Sequence, residues 1–263
     1  MSDEDTQHLK NLAKQVEKLI ELRLLHLRSK EQQVLLEEQH ERLKQFAGVI
    51  SHDMKMPLAN LILTSDIIKQ KYSGLIGKEG VIYLNYLKDS SLTLSDYITN
   101  ILRYYESDGA TEQPKSTFDT YELLEEVFEM LHLNEQSNIS LPEDNMIITT
   151  NKSVLEQVFL NLITNALKYN DKEVAEIEIS NHQDEEFYYF SVSDNGKGID
   201  PKHKHLIFDL YETLGTTDNK GNKGHGIGLS MVKKICTALG GDIEVQSEVG
   251  KGTKFTFWIA KTK

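Results

Sequence analysis

Hydrophobic residues at helical spacing fill the first part of the chain without a break. Residues 2–45 contain no glycine or proline and are rich in Leu, Glu, Lys, Gln and Arg, which predicts one long helix. A coiled-coil spacing of 3, 4, 3 is kept by Leu9, Leu12, Val16 and Leu19. The apolar set then changes phase and continues through Ile20, Leu24 and Leu27. Such a break fits an imperfect dimer stalk as well as a signalling linker that rotates or slides.

The next segment, residues 46–112, predicts two helices that are separated by the stretch "SGLIGKEG". The apolar stripe of the first helix comprises Phe46, Ile50, Met54, Leu58, Leu61, Ser65 and Ile68. That of the second comprises Leu84, Leu87, Ser91, Leu94, Ile98 and Ile101. A lone helical hairpin cannot cover both stripes, whereas two copies packed as a four-helix bundle can. We therefore expect a homodimer.

Alternating and helical patterns follow each other over residues 113–263. Helices are predicted near residues 121–133, 153–169 and 227–239. Strands are predicted near residues 139–141, 146–148, 174–180, 187–193, 242–247 and 253–260. The predicted fold class is therefore α plus α/β: a coiled coil over residues 1–45, a helical hairpin over 46–112 and a C-terminal α/β sandwich. The sandwich has a mixed or mostly antiparallel sheet with helices on one face.

Composition narrows the functional classes. The net charge of −12 argues against a nucleic-acid partner. The single cysteine, Cys236, excludes an internal disulfide, and its helical setting favours core packing over a reactive thiol. No apolar run reaches the roughly 18 residues of a membrane span, and no signal peptide is visible. The expected location is the cytoplasm, either alone or as the cytoplasmic portion of a larger sensor.

The stretch "SHDMKMPL" places a histidine, a carboxylate and a proline inside the first hairpin helix. His52 lies two residues beyond Ile50 and so faces away from the apolar stripe. Asp53 can hold one ring nitrogen and raise the basicity of the other. Pro57 removes a helical hydrogen bond and permits a bend. The pattern fits either a nucleophile or an ordinary surface histidine.

Glycine-rich loops and a polar ridge suggest phosphate binding in the C-terminal region. The loops are "DNGKGI" at 194–199, "GNKGHGIGLS" at 221–230 and "VGKGTKF" at 249–255. The second loop leads into a helix N-terminus, which favours anions. Asn161, Asn165 and Lys168 are spaced 4 and 3, a ridge that suits Mg²⁺ and phosphate but also fits an ordinary amphipathic helix. Neither a Rossmann turn nor a P-loop is present.

Taken together, these motifs resemble those of the transmitter core of sensor histidine kinases of two-component systems. "SHDMKMPL" is similar to the phosphoacceptor box, "NLITNALKY" to the Asn box, "DNGKGI" and "GHGIGLS" to the two Gly boxes, and "IFDLY" to the Phe box. The resemblance covers nearly all of the chain after residue 45. It implies a dimeric hairpin bundle joined to a Bergerat-type α/β sandwich that binds ATP with Mg²⁺.

The resemblance also implies residue roles. His52 would be the phosphorylated nucleophile, with Asp53 holding its Nδ1–H and leaving Nε2 free. Asn165 would hold Mg²⁺ together with Asn161, directly or through water, and Asp194 would accept from the adenine amino group. Residues 209–223 would form a mobile lid. The other expected nucleotide-binding residues are Lys168, Tyr169, Gly196, Gly198, Ile199, Phe208, Gly224, His225, Gly226, Ile227, Gly228, Leu229 and Thr253.

The implied partners are a response regulator receiver domain and an upstream sensor domain or partner protein. Thr213 stands where many family members have an arginine near the γ-phosphate, so Lys220 or Lys223 substitutes for it or autophosphorylation is slow. Met56 stands where a Thr or Asn supports phosphatase activity, which predicts a weak phosphatase. The rival interpretations are an ATP-hydrolysing machine of the gyrase, Hsp90 or mismatch-repair type, which carries Glu in place of Asn161, and a non-catalytic scaffold.

Overall fold

A computed structural model describes residues 3–106, 114–131, 137–215, 217 and 224–261, without the side chains of residues 3–10, 12 and 13. Two compact units, Met1–Asp53 and Met54–Lys263, make up the chain, and each is described by itself. The predicted seam positions Leu9 and Leu12 have no described side chains. The predicted domain boundaries at residues 45/46 and 112/113 stay predictions, and residues 107–113 lie outside the described part.

The first element is helix α1, Asp3–Glu106, which contains Pro57 and has non-helical backbone angles at Gly77 (φ 68°, ψ 179°). A positive φ suits glycine because it has no Cβ. Gly77 divides α1 into two arms and confirms the predicted break within "SGLIGKEG". Within the second unit the arms meet through Lys88, whose Nζ lies 2.8 Å from a carboxylate oxygen of Asp66. A hydrogen bond of 2.9 Å from Lys69 Nζ to Asn85 Oδ1 also joins them.

Apolar side chains of α1 remain open to solvent in the single chain. In the first unit, Leu19 and Ile20 are 66% and 56% exposed. In the hairpin, Leu58 and Ile98 are buried, but most of the predicted stripe is not. Its exposed members include Met54, Leu61, Leu87 and Leu94.

The C-terminal part alternates short strands with three helices. The strands are β1 Ser116–Asp119, β2 Ser137–Ser140, β3 Ile147–Thr150, β4 Ala175–Gln183, β5 Phe187–Asp194, β6 Asp242–Glu248 and β7 Gly252–Ala260. The helices are α2 Thr120–Leu131, α3 Lys152–Lys168 and α4 Gly228–Ala238, and a short 3₁₀ turn lies at Pro201–His203. Each predicted element is present, with described ends that differ by a few residues, and the predicted end of the first helix near residue 133 lies outside the described residues.

Five strands form a mixed sheet in the order β2-β4-β5-β7-β6, while β1 and β3 form a separate two-stranded sheet. β2 runs parallel to β4, and the pairs β4–β5, β5–β7 and β6–β7 are antiparallel. The prediction of a mixed sheet is confirmed. This register brings Asp194, the last residue of β5, opposite Thr253 of β7.

The core lies between the sheet and helices α2, α3 and α4. Alternate residues of β5 face these helices, so Tyr188, Phe190 and Val192 are buried. Phe159 of α3 packs edge-on against Phe190 and Phe257, with ring centroids 5.5 and 5.4 Å away. Helices on one face of the sheet are thus confirmed, and the ends of the strands are left free to form a site.

Candidate active site

His52 and Asp53 form an exposed pair on α1. The Nδ1 atom of His52 lies 3.2 Å from Oδ1 of Asp53, and the two side chains are 83% and 67% exposed. Nε2 of His52 has no partner among the described residues. The expectation that His52 faces solvent is confirmed. This contact is suited to fixing the tautomer that leaves Nε2 unprotonated.

Pro57 does not break α1, because the only non-helical backbone angles that the structure records within this helix are at Gly77. The sequence predicted that the helix is able to bend at Pro57. The structure shows the helix continuing through that residue, so a bend remains a prediction.

A cavity of about 580 Å³ lies at the ends of β5 and β7, between α3 and the start of α4. Its lining includes most of the residues that were predicted to bind a nucleotide. These are Asn161, Asn165, Lys168, Tyr169, Asp194, Gly198, Ile199, Gly224, His225, Gly226, Ile227, Gly228, Leu229 and Thr253. Segments that are far apart in the sequence therefore meet around one space.

Two predicted nucleotide residues, Gly196 and Phe208, do not line this cavity. The N–H of Gly196 donates to Oδ1 of Asp194 at 2.8 Å and so supports a residue that does line it. The ring of Phe208 packs against Phe255 at 6.4 Å, and Lys233 Nζ lies 5.4 Å from the centre of that ring. Both residues therefore contact residues that line the cavity and do not line it themselves.

The polar ridge of α3 faces the cavity. Asn151 caps this helix, because its side chain accepts a hydrogen bond from the N–H of Val154 at 3.2 Å. Asn161 Nδ2 donates to the Gln157 carbonyl at 2.7 Å, which orients Oδ1 of Asn161 towards Gly228. A Cβ on Gly228 would lie 3.0 Å from that oxygen.

The amide oxygens of Asn161 and Asn165 fit the preference of Mg²⁺ for oxygen ligands, in a site that substrate phosphates complete. The part of the chain that the structure describes contains no group of three or more His, Cys, Asp or Glu side chains that could hold a metal by itself. The two amide oxygens suit a metal ion that binds together with a phosphate ligand.

Asp194 is a half-buried carboxylate that lines the cavity. Burial raises the pKa of Asp194 above its ordinary value of 3.8, while hydrogen bonds from the N–H groups of Gly196 and Thr253 lower it. A half-buried carboxylate with such contacts is a strong acceptor for an N–H donor of a ligand. Its place in the cavity lining suits an adenine amino group.

The glycines at 198 and 226 are required by the backbone. Gly198 has φ +70°, and a Cβ there would collide with the carbonyl of Glu248. Gly226 has φ +68°, its carbonyl accepts from the N–H of Tyr211 at 2.9 Å, and a Cβ would meet the backbone of Tyr211 and Glu212. The sequence interpretation assigned these glycines to ligand access, whereas the structure adds a packing reason for each.

His225 is a half-buried residue of the cavity lining. Burial and the positive charge of Lys168 lower the pKa of His225, and the carboxylate of Asp96 partly opposes this. Of the predicted lid, residues 209–215 and 217 are described. Thr213 lines the cavity, but Lys220 and Lys223 lie outside the described residues.

Sequence reasoning missed the part of the cavity wall that α1 provides. Thr93, Asp96, Asn100 and Arg103 line the cavity from the second arm of that helix. Their spacing of 3, 4, 3 was visible in the sequence, but it is polar and runs beside a stronger apolar stripe. Only the fold reveals which polar stripe meets the cavity.

Two expectations outside the cavity can also be compared with the structure. Cys236 is fully buried in α4, and burial raises the pKa of its thiol well above the usual range, so the core interpretation is confirmed. Among the described residues, none of the helices has the length and apolar character that crossing a bilayer requires.

The α/β sandwich and its cavity define a nucleotide-binding ATPase domain. Residues 150–263 match the family model described as "Histidine kinase-, DNA gyrase B-, and HSP90-like ATPase". The phytochrome-like protein Cph1 of Synechocystis is 31% identical over 227 residues, which are 85% of this chain and 30% of Cph1. The signal transduction histidine-protein kinase ArlS of Staphylococcus aureus is 26% identical over 84% of this chain and 49% of its own length.

The solved structure of full-length ShkA in complex with AMPPNP shares the fold, with a TM-score of 0.63 at 23% identity. The match covers 83% of this chain and 46% of that one. The predicted resemblance to the sensor histidine kinases is confirmed, and residues 150–263 form the ATPase domain that the family model describes. It spans less than half the length of the curated relatives named above.

Proposed function

We propose that this chain is an ATP-dependent protein-histidine kinase that phosphorylates His52 and passes the phosphoryl group to an aspartate of a response regulator receiver domain. The observation that carries the proposal is the presence, in one chain, of an exposed His–Asp pair and a cavity suited to Mg²⁺–ATP. Neither feature alone separates a kinase from a hydrolase or a scaffold.

In the proposed reaction, Nε2 of His52 attacks the γ-phosphorus of ATP. An N–P bond forms, the bond from the γ-phosphorus to the β,γ-bridging oxygen breaks, and ADP leaves with the electron pair. Asp53 holds the Nδ1–H and stabilises the positive charge that the ring gains. The ring then carries the phosphoryl group until an aspartate of the regulator attacks the same phosphorus.

The cavity would position ATP for this transfer. Asp194 would accept from the adenine amino group, and Asn161 with Asn165 would hold Mg²⁺ beside the phosphates, which Lys168 also meets. The metal supplies neutralisation of the phosphate charge. Positioning and charge neutralisation account for most of the catalysis of phosphoryl transfer.

Other proposals follow from the same assignment. The exposed apolar stripe of the hairpin supports a homodimer, because a second copy would cover Leu61, Leu87 and Leu94. An upstream sensor domain or a partner protein would supply the stimulus. Since ATP is the donor, the proposed location is the cytoplasm or the cytoplasmic portion of a larger sensor.

Incubation with γ-labelled ATP tests the proposed function. We expect a label on the protein that is stable in base and labile in acid, as a phosphohistidine is. Free phosphate without a protein label would indicate an ATP hydrolase instead. Bound nucleotide with neither product would indicate a scaffold.

A further inference from the structure

A stripe of four polar residues on the second arm of α1 lines the nucleotide cavity. This polar stripe comprises Thr93, Asp96, Asn100 and Arg103. The spacing of 3, 4, 3 places them on one face of the helix. The α/β sandwich therefore does not form the whole cavity wall, because the hairpin of the same chain contributes one side.

Two tyrosines fix the position of this stripe. The ring of Tyr97 lies 5.1 Å from that of His225, which lines the cavity. The carbonyl of Tyr104 accepts from Lys234 Nζ at 2.8 Å, and the same nitrogen lies 4.2 Å from the centre of the Tyr104 ring. Tyr97 and Tyr104 are two helical turns apart, about 10.5 Å, so they hold α1 on both sides of Asn100. Contact with the sandwich therefore does not depend on Arg103.

Three basic side chains line the described part of the cavity: Arg103, Lys168 and Lys197. Lys197 is engaged, because its Nζ donates to the Thr217 carbonyl at 2.8 Å and lies 5.3 Å from the centre of the Tyr169 ring. Arg103 and Lys168 have no hydrogen-bond or ion-pair partner among the described residues. Two cations are thus available to a polyanionic ligand.

The acidic member of the stripe, Asp96, lies near His225 and Lys168 and not near Arg103. Its carboxylate raises the pKa of His225, on which Lys168 also acts, so these three groups lie near one another. Arg103 is seven residues further along, about 10.5 Å up the helix axis. The stripe therefore has a negative end near His225 and a separate positive end at Arg103.

We infer that Arg103 is a nucleotide-binding residue and that its guanidinium contacts the phosphate chain of the bound nucleotide. The inference rests on the proposed function, in which the ligand is ATP. A guanidinium presents several N–H donors in one plane and binds two phosphate oxygens at once, which an ammonium does not. The hairpin of the same chain thus takes part, together with the sandwich, in binding the phosphates of the nucleotide.

The test compares AMPPNP and adenosine on the full chain in the presence of Mg²⁺. Calorimetry measures AMPPNP, and ligand-observed NMR measures adenosine. We expect Arg103→Ala to weaken AMPPNP binding at least about tenfold, as loss of a charge-assisted hydrogen bond does, and to leave adenosine binding within about twofold. Arg103→Lys is expected to lie between Arg103→Ala and the unmodified protein for AMPPNP.

Arg28→Ala serves as the matched control, since it removes the same charge from an exposed position in the other unit. It should change neither affinity. The inference is overturned if Arg103→Ala keeps AMPPNP affinity within about twofold, or if it loses adenosine affinity by the same factor. If the unmodified protein binds neither ligand, the proposed function fails together with the inference. Either of the two contrary results for Arg103→Ala would overturn the inference only and leave the proposed function intact.

Discussion

The α/β sandwich and helix α1 satisfy their hydrophobic residues in different ways. In the sandwich, Phe159, Phe190 and Phe257 are at most 1% exposed, and the apolar faces of sheet and helices cover one another. In α1, Leu87 and Leu94 are each 45% exposed although they belong to a regular apolar stripe. The sandwich therefore has a core of its own, whereas α1 needs a second surface to complete its packing.

The same two regions also differ in how they build a site. The His52–Asp53 contact joins neighbours in the sequence, so one helix is sufficient to form it. The cavity instead joins α3, the end of β5, the loop before α4 and α1, which only a folded domain brings together. A change at His52 or on the apolar stripe of α1 should therefore affect chemistry or assembly, and a change in the residues that line the cavity should affect nucleotide binding.

The largest expected effect is that of His52→Ala, which should abolish labelling by γ-labelled ATP without changing AMPPNP affinity. The reason is that the only proposed nucleophile is removed while the cavity residues remain. His26→Ala, an exposed histidine of the first unit, is the control and should label normally. Persistent label on another histidine of the His52→Ala protein would show that the nucleophile has been wrongly assigned.

Assembly should be lost when charge is placed on the apolar stripe. Leu87→Glu combined with Leu94→Glu should give a monomer by light scattering, because a dimer would bury two unpaired carboxylates on each chain. Tyr86→Glu is the control, since Tyr86 is 64% exposed and lies off the stripe. A double variant that remains a dimer would refute the proposed role of this surface.

The sequence predicted those features that depend on local signals and missed those that depend on tertiary structure. The helices and strands were predicted because periodicity and glycine positions are local signals, and Gly77 marks the break in α1 as expected. The motif residues were found because each motif is contiguous. The contribution of Asp96 and Arg103 was missed, because it depends on where α1 meets the sandwich. The packing of Phe208 behind the cavity wall depends in the same way on tertiary structure.

A change at Asp194 in the sandwich should act on nucleotide binding. Asp194→Asn should weaken ATP binding at least about tenfold, because an amide need not present an acceptor to the adenine amino group and a charged hydrogen bond contributes about 1.5–3 kcal/mol. Calorimetry with AMPPNP measures this. Asp89→Asn, on the exposed side of the hairpin, should have no effect. Equal affinities for all three proteins would contradict the adenine contact.

Adenosine affinity should depend on pH through the same carboxylate. Burial raises the pKa of Asp194 above 3.8, so the carboxylate becomes protonated at a higher pH than an ordinary aspartate. A protonated carboxyl is a poorer acceptor, and adenosine affinity should therefore fall as pH falls through this raised pKa. Adenosine is used because it carries no titrating phosphate. Asp194→Asn should bind adenosine weakly at every pH. If both proteins show the same pH dependence of adenosine affinity, titration of Asp194 is not its cause.

The free energy of unfolding should depend on pH in the opposite direction to adenosine affinity. Because the folded pKa of Asp194 is raised, the folded state binds this proton more tightly than the unfolded chain does. The stabilisation that this group contributes is fully present below its ordinary pKa and is lost as pH rises through the folded pKa. Asp194→Asn should remove this contribution to the pH dependence of the unfolding free energy, measured by urea titration. If the unmodified protein and Asp194→Asn show the same pH dependence of the unfolding free energy, this prediction is wrong.

The smallest expected effect concerns Met56 on α1, three residues after Asp53. Its side chain is 63% exposed, so it is available to a docked regulator. A thioether has no donor and is a weak acceptor, so it cannot orient a water molecule for attack on a phospho-aspartate. The kinase step does not need this group. We therefore predict that a phosphorylated cognate regulator, freed of ATP, decays no faster with the unmodified protein than without it.

The variant Met56→Thr tests α1 separately from the cavity, because it changes α1 and leaves the cavity residues intact. A hydroxyl at this exposed position both donates and accepts, so the variant should raise the decay rate of the phosphorylated regulator. Met56→Leu is the control, since it keeps an apolar side chain of similar volume and adds no hydrogen-bonding group. Labelling by γ-labelled ATP should be the same in all three proteins. Rapid dephosphorylation by the unmodified protein would show that another group holds the attacking water and that Met56 only packs on the surface of α1.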